Sequence, residues 1–130
     1  MVQIAELKRG PYWKHIGMNP VTGVDGKIRV ELELSENLLQ VYGNLHGGVI
    51  ASVLDSCIAV AINQSLEPGE GAVTLELKIN YLRPVSKGKI CGEGAVIKKG
   101  KIVIVAQGEI KDESGQLVAF GTATFMRNGI

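Results

Sequence analysis

At 130 residues the chain suits a single domain spanning residues 1–130, long enough to bury a core yet short enough for oligomerisation to help stabilise it. A formal net charge of +1 and a pI near 7.8 leave no global electrostatic bias, which argues against a nucleic-acid or membrane surface as the main partner. Cys57 and Cys91 lack C-x-x-C or zinc-ligand spacing, and no basic, apolar, small-residue leader is visible, so a reduced, cytoplasmic protein with no metal site is expected.

Residues 2–9 alternate at roughly helical spacing and predict a short helix that Gly10-Pro11 ends. Segments 16–24 and 27–34 flank Asp25-Gly26, a strong hairpin turn pair, and predict strands one and two. Residues 35–43 read as a loop with one helical turn, delivering Gln40 and Asn44 just ahead of His46. A long helix follows from Gly47 to near Leu66. Between Val49 and Ile62 its residues other than Asp55 are Val, Ile, Ala, Leu, Cys or Ser, apolar nearly all round, so it should lie inside the protein. The run is shorter than the ~20 residues a bilayer requires and contains Asp55, so no membrane span is expected.

Pro68-Gly69 ends the helical region. From Ala72 the chain alternates, with Val73, Leu75, Leu77, Ile79 and Tyr81 on one face and Thr74, Glu76, Lys78 and Asn80 on the other, a half-buried strand closed by Arg83-Pro84. Segments 89–98, 101–111 and 116–127 predict three further strands in an antiparallel meander. Gly92, Gly94, Gly108 and Gly121 within them mark bulges or places where another backbone comes close. The expected class is α+β, an antiparallel sheet of five or six strands wrapped around one long central helix.

Asp55 has to be explained, because an aspartate in an apolar helix is rarely buried unless it is paired or working. A helix start rich in glycine offers unpaired N–H groups and the positive end of a dipole to a developing oxyanion, and glycine lets a carbonyl approach the backbone. Hydrolysis of an acyl bond needs such polarisation, here from the Gly47 N–H. It also needs an oxygen nucleophile supplied or activated by a carboxylate, here Asp55, acting as nucleophile or general base. Asp55 lies about two turns from Gly47, on the order of 12 Å along the axis, too far for both to touch one carbonyl. One subunit is therefore not expected to suffice. The plainer readings are a structural carboxylate at Asp55 and tight packing at Gly47 and Gly48.

Three stretches resemble hotdog-fold acyl-CoA thioesterases, specifically the phenylacetate-pathway type related to 4-hydroxybenzoyl-CoA thioesterases. They are Leu45-His46-Gly47-Gly48 with Asp55 nine residues after the histidine, the run from Thr74-Leu75-Glu76-Leu77 through Tyr81-Leu82-Arg83-Pro84, and Phe120-Gly121-Thr122-Ala123-Thr124-Phe125. The resemblance covers nearly the whole chain. It implies the hotdog fold, with the helix start of one subunit facing the carboxylate of another in a homodimer that assembles into a homotetramer. It also implies that Gln40 helps hold substrate or water, with Asn44 a poorer match for that role, and that Thr74 positions water. His46 would shape the loop or contact the thioester, and Gly48 would lie at the substrate. Arg83, Lys98, Lys99 and Lys101 would meet the phosphates of coenzyme A, although a lysine-rich hairpin is also simply a solvated edge. Coenzyme A is then part of the substrate and no cofactor is needed. The acyl group, and carriage by coenzyme A or by an acyl-carrier protein, stay open. The reading is an acyl-CoA thioesterase, the alternatives being a non-catalytic acyl-CoA binding module and, last, a hydratase or dehydratase.

Overall fold

The computed structural model describes residues 4–7 and 9–129. Helices α1 (Ile4–Leu7) and α2 (Pro11–Ile16) precede the hairpin of β1 (Met18–Thr22) and β2 (Ile28–Glu33). A 3-10 turn (Glu36–Leu38) leads to the long helix α3 (Gly47–Ser65), followed by β3 (Glu70–Tyr81), β4 (Lys89–Lys99), β5 (Val103–Asp112) and β6 (Leu117–Gly129). The six strands form one sheet in the order β1-β2-β4-β5-β6-β3, each neighbouring pair antiparallel. One long helix on a six-stranded antiparallel sheet is the arrangement expected from the periodicities. The predicted helix at 2–9 is seen as α1, while Val2, Gln3 and Lys8 lie outside the described residues.

Helix α3 packs along one face of the sheet. Val53, Leu54, Cys57 and Ile58 are fully buried, as are Ile90, Ile104, Ala106 and Ile110 on the strands, each large side chain contributing roughly 1.5–3 kcal/mol by leaving water. The approach is close because the strands present glycine where the helix crosses. Gly94 stands opposite Gly108, and Gly108 opposite Gly121, in a row across β4, β5 and β6. A Cβ on Gly94 would sit 2.5 Å from the Cys57 carbonyl oxygen, and one on Gly108 2.9 Å from Ile58 Cγ1. Of the two meanings open for these glycines, close approach of another backbone holds at Gly94, against α3, and at Gly121, against Lys78 of β3, whereas Gly108 faces side chains of α3.

Four local expectations are corrected. Ile16 closes α2 and does not begin a strand. Pro11 occupies the first turn of that helix and Gly17, at φ 87°, caps it by donating to the Trp13 carbonyl. Proline at a helix start and left-handed glycine at its end are helix signals that also read as breakers. Strand β5 begins at Val103, with Lys101 left in the turn. Strand β3 has a register shift between Thr74 and Glu76, so Leu75 breaks the alternation and both Val73 and Leu75 are about half exposed. Finally, α3 is not buried all round: Ser52, Asp55, Ser56, Ala59 and Asn63 lie on a partly exposed side. By length and composition alone α3 is apolar enough to cross a membrane, but its other side forms the core against the sheet.

Candidate active site

The start of α3 is shaped by His46. Its backbone is extended (φ −61°, ψ 136°), its carbonyl accepts the N–H of Val49 at 2.9 Å, and its ring folds back so that Nδ1 accepts the Gly48 N–H at 2.7 Å. The neutral ring therefore carries its proton on Nε2. Gly48 has no side chain because a Cβ there would lie 2.9 Å from Nδ1. On the other side, the Tyr81 hydroxyl donates to the Gly47 carbonyl at 2.9 Å. Both polar ends of the Gly47–Gly48 peptide are thus held by side chains. The N–H groups of Gly48, Val49 and Ile50 are all engaged, whereas the Gly47 N–H meets no acceptor among the described residues. It is an available donor at the positive end of a 19-residue helix.

Asp55 sits partly exposed on the side of α3 away from the sheet core. Thr74, on β3, donates from Oγ1 to Asp55 Oδ1 at 2.9 Å, fixing the carboxylate, and Oδ2 carries no hydrogen bond among the described residues. A carboxylate held by one neutral hydroxyl keeps acceptor capacity for a water or an attacking trajectory toward a carbonyl. Cys57, two residues on, is a packing residue: burial pushes its thiol well up, so it forms no ready thiolate. Burial pushes the Cys91 thiol up as well.

Gly47 and Asp55 open into different cavities of the chain. Gln40, Asn44, Gly47, Tyr81 and Arg83 line one of about 320 Å³. Asp55 lines another of about 440 Å³, with Tyr12, Trp13, Ser56, Ala59 and Phe125. Gln40 Oε1 accepts from the Tyr42 N–H at 2.7 Å and the Asn44 N–H at 3.3 Å, so its amide oxygen is spent on bracing the loop ahead of His46. The Gly48 N–H is likewise already taken by His46.

The lysines part company with Arg83. The Lys99 ammonium donates to the carbonyl of Ser65, the last residue of α3, where a cation complements the negative end of the helix. That end lies about 27 Å along the axis from Gly47. Lys98 and Lys101 flank the same turn between β4 and β5, so a single chain brings Arg83, but not these three lysines, to the helix start.

Tyr81, Tyr12 and Trp13 were not among the residues expected at the site. Tyr81 read as a core position of an alternating strand, and its contact with Gly47 spans 34 residues. Tyr12 and Trp13 lie in α2, which the breaker reading of Gly10-Pro11 hid. The exposed aromatic surface of Tyr12, 55% accessible, had no periodicity to announce it.

Residues 42–119 match the model of the thioesterase superfamily. A 1,4-dihydroxy-2-naphthoyl-CoA hydrolase of Listeria monocytogenes is 31% identical over 109 residues, 84% of this chain and 89% of that protein. Among solved structures, a Haemophilus influenzae thioesterase superposes with a TM-score of 0.90 at 24% identity, covering 99% of this chain and 92% of that one. A Bacillus halodurans protein whose crystal structure contains CoA superposes with a TM-score of 0.89 at 26% identity, covering 97% and 85%. By sequence and by its six strands on one long helix, the chain belongs to the thioesterase superfamily, with the hotdog fold.

Proposed function

We propose that this thioester hydrolase acts on acyl-coenzyme A, releasing a carboxylic acid and coenzyme A. In this reading the Gly47 N–H of one subunit polarises the thioester carbonyl and Asp55 of another supplies the attack. The observation that carries it is the state of the first turn of α3: three of its N–H groups are satisfied and, among the described residues, the Gly47 donor alone meets no acceptor, leaving it for an oxyanion. The same chain holds a carboxylate fixed by Thr74, in a separate cavity. Attack by Oδ2, or by a water that Asp55 deprotonates, forms a C–O bond at the carbonyl carbon. Collapse of the oxyanion breaks the C–S bond, and the departing thiolate takes up a proton. The direct route passes through an anhydride that water then opens; both give the same products.

Two features support a composite site between subunits. Gly47 and Asp55 are about 12 Å apart on one rigid helix, too far to serve one carbonyl. Among the described residues strand β3 pairs only with β6 and leaves its other edge open, with Val73 and Leu75 half exposed, the kind of edge that pairing with a second copy would cover. Arg83 lines the Gly47 cavity and is suited to a coenzyme A phosphate. A tetrameric assembly and a cytoplasmic location belong to the same proposal.

The test is thiol release, followed with a chromogenic disulfide, from a panel of acyl-CoAs by the native protein and by Asp55→Asn. A loss of well over ~100-fold in the variant at unchanged folding and oligomeric state is expected. Acyl-CoA binding by the native protein with no thiol released from any member would instead make it a binding module.

A further inference from the structure

The geometry points to the cleft between α2 and α3 as the acyl-binding site, taking a linear aliphatic acyl group of medium length, with Trp13 and Ala59 as its specificity-determining residues. This rests on the thioesterase reading above and goes beyond it, because neither the Gly47–Asp55 pair nor the family selects an acyl class.

Asp55 lines the cleft of about 440 Å³, so an acyl chain attached to a carbonyl at Asp55 has this space beside it. The α3 side of the cleft continues from Asp55 through Ala59 to Leu66, eleven residues on, or about 16 Å along the axis. A single aromatic ring joined to the carbonyl would leave the far part empty, and an extended alkyl chain would fill it. Facing α3 are Leu7, Trp13 and Phe125, apolar surface of the kind that such a chain would bury. Ala59 stands one turn beyond Asp55, and its small side chain keeps the passage open.

Helix α2 is placed to act as the wall. Six residues between two glycines do not hold a helix alone. The Tyr12 hydroxyl meets Ser52 Oγ at 2.6 Å, and Ser52 in turn donates to the Gly48 carbonyl at 2.9 Å. With the Ser52 proton so used, Tyr12 is the donor, and the relay ties α2 to the first turn of α3. Trp13, next in sequence, is thereby set over the cleft.

The experiment compares kcat/KM over acetyl-, butanoyl-, hexanoyl-, octanoyl-, decanoyl-, benzoyl- and phenylacetyl-CoA for the native protein, Trp13→Ala and Ala59→Leu. In the native protein kcat/KM should rise about fourfold per added methylene from butanoyl to octanoyl, with benzoyl below octanoyl. Trp13→Ala should lower the octanoyl-to-butanoyl ratio by about tenfold. Ala59→Leu should move the optimum to a shorter chain by roughly two carbons, and because it acts from the other wall it decides the matter even where Trp13→Ala fails to fold. A native optimum at benzoyl or phenylacetyl overturns the acyl class. An unchanged rank order in Ala59→Leu overturns the cleft as the acyl site. No thiol release by the native protein from any substrate is a different failure, that of the thioesterase reading itself.

Discussion

Thr74 Oγ1 donates to Asp55 Oδ1 across 2.9 Å, joining a strand residue to a helix residue 19 positions earlier in the chain. The bond matters because a carboxylate on a partly exposed helix side would otherwise sample several rotamers, and a fixed one is already aimed. Its position next to the register shift at Leu75 is part of the same geometry, since the shift resets which side chains of β3 face the helix.

Removing that hydroxyl while keeping the side-chain shape, in Thr74→Val, should lower kcat by roughly tenfold with little change in KM, equivalent to about 1.5 kcal/mol for a hydrogen bond to a charged group. Thr74→Ser should restore most of the activity. Steady-state thiol release with one acyl-CoA checks both; equal activity of Thr74→Val and native protein would remove the hydroxyl from the mechanism.

Gly47 is the first residue of α3, a position where proline is well tolerated, and His46 before it is already extended, as a residue preceding proline must be. Gly47→Pro therefore deletes the free N–H with little cost to the helix. It should fold, and its kcat should fall by about 100-fold or more. Co-refolding equal amounts of Gly47→Pro and Asp55→Asn should recover up to about a quarter of native activity, because half of randomly formed dimers are hybrids with one intact composite site of two. Absence of recovery in verified hybrids would place Gly47 and Asp55 in one subunit's site.

The glycine row sets how closely α3 lies on the sheet. Gly94→Ala would bring Cβ to 2.5 Å from the Cys57 carbonyl oxygen and 2.8 Å from Ile58 Cα, both helix backbone, so the helix itself must shift. Gly108→Ala meets Ile58 Cγ1 and Leu54 Cδ1 at 2.9 and 3.0 Å, side-chain atoms that adjust more readily than helix backbone. Denaturant unfolding should show a loss of about 3 kcal/mol for Gly94→Ala and nearer 1 kcal/mol for Gly108→Ala. The reverse order would mean the helix floats on the sheet.

Asp112 organises the turn between β5 and β6. Its Oδ1 accepts from the Ser114 hydroxyl at 2.7 Å, the Ser114 N–H at 2.9 Å and the Gln116 N–H at 3.0 Å. The Ser114 hydroxyl first, then the Gln116 N–H, hold its carboxyl below the ordinary value of 3.8. A depressed folded-state pKa stabilises the fold fully above the unfolded value and loses that contribution as pH falls through the folded one. Asp112→Asn should therefore melt below the native protein at about pH 7, with the gap narrowing toward about pH 2 as the native carboxyl takes up its proton. Thermal melts at the two pH values check this; a gap independent of pH would assign the effect to shape.

The sequence by itself determined the elements whose signals are local. The long helix begins where His46-Gly47-Gly48 says it does, because a cap involves only residues within one turn of each other. The hairpin at Asp25-Gly26 and the meander of β4, β5 and β6 follow from turn chemistry and period-two alternation, and one helix on six strands leaves few ways to bury an apolar helix. Tertiary structure alone decided the pairing of β3 with β6 at the far edge, the glycine row beneath α3, and the contacts Tyr81 to Gly47, Thr74 to Asp55 and Tyr12 to Ser52. The three side-chain contacts join residues 19 to 40 apart, and no local propensity encodes which edges and faces meet. Tertiary structure also decided that Gly47 and Asp55, on one helix in sequence, open into separate cavities, because the loop ahead of His46 and β3 cover one end of that helix while α2 overlies its middle.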